Sequence, residues 1–167
     1  MQKKLIILTV ACLLVSSSFA FGLEDAIATL AGFMATVIQK DNLKEMLTCT
    51  NDGDKLTTDV ETLIGEVTNF SFSNFFKAMI TVGEIMGEAP YVLRDCENLQ
   101  DDLHTLAQQA EVFTNIGELT ERITKNYVWH YSEIMSDIST ANADAAQGNY
   151  YGFGQNIGAA VFLALQP

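Results

Sequence analysis

Apolar residues return at helical spacing along nearly the whole chain after residue 20. Leu23, Ile27, Leu30, Met34 and Val37 line one face of a first helix predicted to end near Cys49. The stretch "TNDGDK" (50–55) then reads as a turn, because Asn, Asp and Gly favour bent backbone. Thr58 with Glu61 resembles a capping box before a second apolar face of Val60, Leu63, Ile64 and Val67. In "NFSFSNFF" (69–76) polar and apolar residues alternate briefly, but no partner strand is evident. It therefore reads as a linker whose Ser73 caps a third helix through Met86, with Gly87 as its stop. Pro90 suits the first turn of a fourth helix.

That fourth pattern is the most regular. Val92, Cys96, Leu99, Leu103, Leu106, Ala110 and Phe113 follow alternating four- and three-residue steps, as in an a/d seam. A fifth runs through Ile116, Leu119, Ile123, Tyr127, Ile134, Ile138, Ala141 and Ala145, and Gly148 is placed to end it. A last helix would show Tyr150, Phe153, Ile157, Val161 and Leu165 on one face. The expectation is an all-α single bundle of five or six helices over residues 21–167.

The N-terminus changes the setting. Lys3 and Lys4 precede the apolar run Leu5–Val15, and Ser18 and Ala20 are small residues at the −3 and −1 positions. This is the layout of a secretory leader, residues 1–20, cleaved after Ala20. The apolar run is about half of the roughly 20 residues a membrane helix requires, so no integral span is expected after cleavage. The expected location is outside the cell or in the lumen of the secretory pathway. There Cys49 and Cys96, the cysteines left beyond the leader, would form one disulfide. The chain carries 21 acidic and 9 basic residues, and two of the lysines leave with the leader. A field that negative repels nucleic acid and anionic headgroups, and leaves a cationic partner or calcium as the charge-led alternatives.

Candidate chemistry is sparse. His104 and His130 are the only histidines. His104 has Asp101 and Asp102 beside it, and is expected to be a partly exposed helix residue rather than a metal ligand. His130 lies in "YVWHY", where Tyr127, Trp129 and Tyr131 are expected to pack in the core rather than form a binding patch. An EF-hand register around Gly53 puts Thr48 and Thr50 where acids are needed, and Asp59 at its end. A looser site from Asp52, Asp54 and Asp59 is what remains of it. No catalytic motif, metal-binding motif or phosphate loop is present, so no catalytic residue, cofactor or metal is assigned. Asn69-Phe70-Ser71 is the one N-glycosylation sequon, with Asn69 the candidate acceptor.

"GNYYGFGQNIGAAVFLAL" (148–165) holds Gly152, Gly154 and Gly158, close to a dinucleotide fingerprint. That fingerprint needs a strand before it and a second strand after it, and here a helix precedes. The glycines read instead as a small-xxx-small contact for a neighbouring helix. Together with the leader and the second cysteine in "RDC", the terminal stretch resembles a set of small secreted helical proteins of ciliated protists. The resemblance implies an extracytoplasmic helical protein and brings no catalytic residues with it. The functional expectation is a secreted acidic bundle with a binding or structural role, its partner, whether a protein or an apolar ligand, not identified by the sequence. The alternative is a carrier of an apolar ligand, such as a lipid, in the bundle interior, where Phe and Met would supply adaptable lining.

Overall fold

Helix α1 (Leu23–Val37) is apolar nearly all round, and Ala26 to Met34 are buried except for Ala28. A helix with no polar face has to be enclosed, and α1 forms the centre of the bundle. The computed structural model describes residues 20–50 and 52–167. All but Ala20 of the expected leader lies outside them. Around α1 are α2 (Leu43–Cys49), α3 (Asp54–Thr68), α4 (Phe72–Val92), α5 (Gln100–Thr114), α6 (Ile116–Trp129), α7 (Tyr131–Ala146) and α8 (Tyr150–Ala164). A single 3-10 turn, Glu97–Leu99, precedes α5, and there is no strand among the described residues.

The all-α class is as expected, but the eight helices among the described residues exceed the five or six predicted. The first expected helix is cut after Val37, where Gln39 takes a left-handed φ of 58°. The fifth is cut at His130, whose φ of −110° and ψ of 23° leave the helical region. Neither break interrupts the apolar period. The third helix errs the other way, running through Gly87 and Pro90 to Val92. Its buried face of Val82, Ile85, Met86, Ala89 and Val92 continues in phase, so burial outweighs the hydrogen bond lost at Pro90. Val92 accordingly ends α4 and does not begin the seam. The caps shift too: Gly53 precedes α3, and Ser71, not Ser73, accepts the Asn74 amide at 3.1 Å to cap α4. Thr58 lies inside α3 and bonds back to the Asp54 carbonyl.

Gly148 stops α7 as expected, with φ of 73°. Its amide reaches the Ala145 carbonyl (3.1 Å) and the Asn149 amide reaches that of Asp144 (2.9 Å), the two bonds of a Schellman motif. Asn149 then starts α8 by accepting the Gly152 amide at 3.1 Å. Asp144 ties this corner together, accepting from Asn149 at 2.8 Å and from Asn156 at 2.9 Å.

Helices α1 and α8 run side by side in the same sense, backbone against backbone. A Cβ on Gly154 would sit 2.0 Å from the Thr29 carbonyl oxygen, and one on Gly32 2.0 Å from that of Tyr151. At Gly158 the neighbour is Thr36, whose Cβ would be 3.0 Å away. Thr36 Oγ1 also donates to the Gln155 carbonyl at 3.2 Å across the crossing. Gly154 and Gly158 are thus a helix contact, as the sequence suggests. Cys49 and Cys96 come to disulfide distance, with Cα atoms 5.3 Å apart, tying the end of α2 to the turn after α4.

Two measurements check this packing. Gly154→Ala should cost about 3 kcal/mol or more, because a clash with backbone cannot be relieved by a side chain turning away. Gly65→Ala, in α3 with open space around it, should instead stabilise by about 0.5–1 kcal/mol. Denaturant unfolding that ranked the two alike would contradict the crossing. Separately, replacing both Cys49 and Cys96 by Ser should lower stability by about 4 kcal/mol by chain-entropy reasoning. Thiol titration of the denatured, unreduced, leader-free protein should find no free thiol.

Candidate functional site: an apolar groove where five helices meet

The enclosed interior is filled. Voids among Leu63, Phe75, Met79 and Ile157, and among Leu30, Phe33, Val82 and Gly154, are each about 10 Å³. That is room for about one water. A larger apolar space lies at the surface, a groove of about 290 Å³. Phe33 and Val37 of α1, Met86 of α4, Phe113 of α5 and Val161 and Phe162 of α8 supply half of its lining. Phe33, Met86 and Val161 are buried residues of the core, whereas Phe162 is 63% exposed. Phe113 closes the α4 side by lying against Gly83, where an added Cβ would come within 2.7 Å of it.

Helix α6 contributes Arg122 to the groove and anchors its rim with neighbouring polar side chains. Arg122 donates to the Leu165 carbonyl at 2.9 Å and to Glu118 at 2.6 Å. One turn on, buried Asn126 donates to the carbonyls of Ala164 (3.2 Å) and Gln166 (2.7 Å), and Lys125 to that of Pro167 (3.3 Å). The last carbonyls of a helix have no partners within it and carry its negative dipole end, so a cluster of donors there is favourable. Three side chains of α6 therefore hold the end of α8 and, with it, one wall of the groove. The groove lining contains no Asp, Glu, His, Ser or Cys side chain.

The structure disperses the other candidates. His104 is exposed and its Nε2 lies 3.2 Å from Gln108 Nε2. Its neighbour Asp102 is turned inward, ion-paired with Lys40 and accepting from Asn42 at 2.9 Å. Asp59 is taken by Lys55 at 2.6 Å, a bond that holds the Lys55 ammonium above its usual range. Asp52 accepts the Asp54 amide at 3.4 Å, so the looser calcium site is not assembled. Among the described residues no three His, Cys, Asp or Glu side chains gather as a metal site. No described helix is long and apolar enough to cross a membrane.

The aromatic segment corrects an expectation. Trp129 is 77% and Val128 72% exposed, and Tyr131 is exposed as well, so "YVWHY" is a surface corner and not core. The break at His130 is the reason. Helix α6 buries only Leu119, Ile123 and Asn126, and the chain turns before a second face closes over the rest. His130 itself is half-buried and 3.4 Å from Glu133. Tyr127 alone of the segment packs inward, 5.6 Å from Phe75 between ring centres. Burial, with Tyr131 adding to it, pushes its phenol above the usual range. Asn69 stands exposed between α3 and α4.

The groove and the Lys40–Asp102 pair had no sequence signature. Each groove residue occupies a position that also reads as ordinary core or helix surface. Comparison with known protein families, curated proteins and solved structures finds no match to this chain, so its function is argued from this geometry.

Asp137 of α7 is the acid whose titration departs from the ordinary. Partial burial, and then the like charge of Glu133 one turn earlier, push its carboxyl above the usual 3.8. A raised carboxyl can mark a catalytic acid, but Asp137 is not part of the groove. Its ionised form is penalised only in the folded state. The penalty is therefore present above the folded pKa and vanishes below 3.8, where both states are protonated. Asp137→Asn should raise the melting temperature at neutral pH, and the gain should shrink toward zero as pH falls below 3.8. An equal gain at both ends would show that burial of charge is not the cause.

Proposed function

We propose that this chain is an exported, acidic helical-bundle protein that acts by binding and not by catalysis. Its ligand is a slender apolar molecule, such as a single acyl chain, laid in the groove between α1, α4, α5 and α8. The observation that carries this reading is the groove itself. It is concave, lined mainly by aliphatic and aromatic side chains, and provided with a few polar groups at one end, which is how small-molecule sites are built. At about 290 Å³ it lies at the small end of such sites, which favours one chain over a bulky multi-chain lipid. The absence of nucleophile, acid and imidazole from its lining supports binding over hydrolysis. The Cys49–Cys96 pair, the leader-like residues 1–20 and the likeness to small secreted helical proteins of ciliated protists support export. The voids of about 10 Å³ around Phe75 and Phe33 favour the surface groove over the middle of the bundle as the place of binding.

Titration with dodecanoic acid by calorimetry tests the reading. The wild-type protein should bind it. Val112→Glu and Phe162→Glu place a carboxylate on half-buried and exposed positions of the groove, so the fold should survive. Each should weaken binding at least tenfold, about 1.4 kcal/mol, while Trp129→Ser should leave it unchanged. Binding that is equal in all four proteins, or absent from the wild type at millimolar ligand, would overturn the proposal. Native mass spectrometry of protein from its own source should show a co-purifying apolar mass that Phe162→Glu loses.

A further inference from the structure

The aromatic surface beside Asn69 has an occupant that the chain itself can supply. Asn69 ends α3 and is exposed, with its backbone carbonyl accepting from Asn74 Nδ2 at 2.5 Å. Its own carboxamide finds no hydrogen-bond partner among the described residues. The middle residue of the sequon, Phe70, turns inward, with ring centres 5.9 Å from Phe75 and 6.4 Å from Tyr127. The two outer residues, Asn69 and Ser71, both face solvent. Anchoring of Phe70 therefore presents the acceptor outward.

Next to Asn69 is a shelf of rings. Phe72, 43% exposed, meets Tyr127 edge-on at 4.9 Å, and Tyr131, 50% exposed, meets the same Tyr127 ring edge-on at 5.4 Å. Large exposed apolar side chains grouped in this way ordinarily have something to cover them. Sugar rings carry faces of axial C–H groups that stack on aromatic rings, and a glycan on Asn69 would start three residues from Phe72.

We infer that Asn69 carries an N-linked glycan whose first sugars lie over Phe72, Tyr127 and Tyr131. The carboxamide nitrogen of Asn69 attacks the anomeric carbon of a lipid-pyrophosphate-linked oligosaccharide. A C–N bond forms, the C–O bond to pyrophosphate breaks, and the lipid pyrophosphate leaves. The displaced amide proton passes to a base of the transferase. No oxidant or reductant is involved. The inference rests on export of the chain but is independent of the groove, so either can fail alone.

The test uses the full chain with its own leader, secreted from its source cells. Intact mass should exceed that of the polypeptide and fall to it on treatment with a peptide N-glycosidase. Asn69→Gln should lose the whole added mass, and Ser71→Thr, which keeps both the sequon and the helix cap, should retain it. A wild-type mass equal to the bare polypeptide would overturn the inference, unless the chain is retained inside the cell, which overturns export instead. Covering of the shelf has its own readout. The glycosylated wild type should melt about 2–4 °C above Asn69→Gln, and this difference should disappear in a Phe72→Ala background. A difference that survives unchanged without the Phe72 ring would show that the glycan does not rest there.

Discussion

Helices α1 and α8 meet where neither has a side chain. At Gly32 and Gly154 the space that a Cβ would occupy is already filled by a carbonyl of the other helix. Such an approach sets the axes closer than any pair of larger residues permits, and it does so near the middle of α1, where Ala26 to Met34 are buried except for Ala28. The other helices pack around the pair so formed. The groove is a consequence of the same contact. Phe33 and Val37 leave α1 just past Gly32, Val161 and Phe162 leave α8 just past Gly158, and the two sets converge on one face. A wider crossing would draw these walls apart.

The terminal stretch shows how local and tertiary demands divide a short motif among them. Gly148 is required by a left-handed backbone angle, Asn149 by the first free amides of α8, and Asn156 by its bond to Asp144. Gly152 leaves room for Asn149 and Asp144, since a Cβ there would lie 2.3 Å from Asn149 Nδ2. Only Gly154 and Gly158 serve the neighbouring helix. A phosphate-binding loop and a helix contact share their glycines for the same reason, close approach to backbone. What separates them is the element that comes before.

Much of this was readable because it depends on residues close in sequence. The helical class, the Gly148 stop, the α8 face and the small-residue contact all follow from periodicity or from special residues. The breaks after Val37 and at His130 do not. From Ile123 through Tyr127 to Ile134 the apolar rhythm passes the break without a missed beat, and Gln39 adopts a left-handed angle usually left to Gly or Asn. Gly87 and Pro90 mislead in the opposite sense, since tertiary burial overrides the local preference to stop. Trp129 was misplaced because its exposure depends on a turn that periodicity hides. The groove was hidden for a deeper reason. It is built from five helices, and no one of them contributes a residue that differs from ordinary core.

The wall formed by α6 is held unlike the others. Its buried apolar residues are Leu119 and Ile123, with Tyr127 half-buried against Phe75, and the rest of its attachment is polar: Arg122, Lys125 and Asn126 against backbone oxygens at and just beyond the end of α8. Apolar packing resists displacement over the whole contact area, whereas a few hydrogen bonds at a surface exchange readily with water. The groove thus combines a rigid floor, fixed by the α1–α8 crossing, with a side whose hold is polar and local. Arg122 stands at the junction, bonded both to a backbone carbonyl and to Glu118. Its charge is thus already answered by Glu118, and what the groove offers a ligand is apolar contact area.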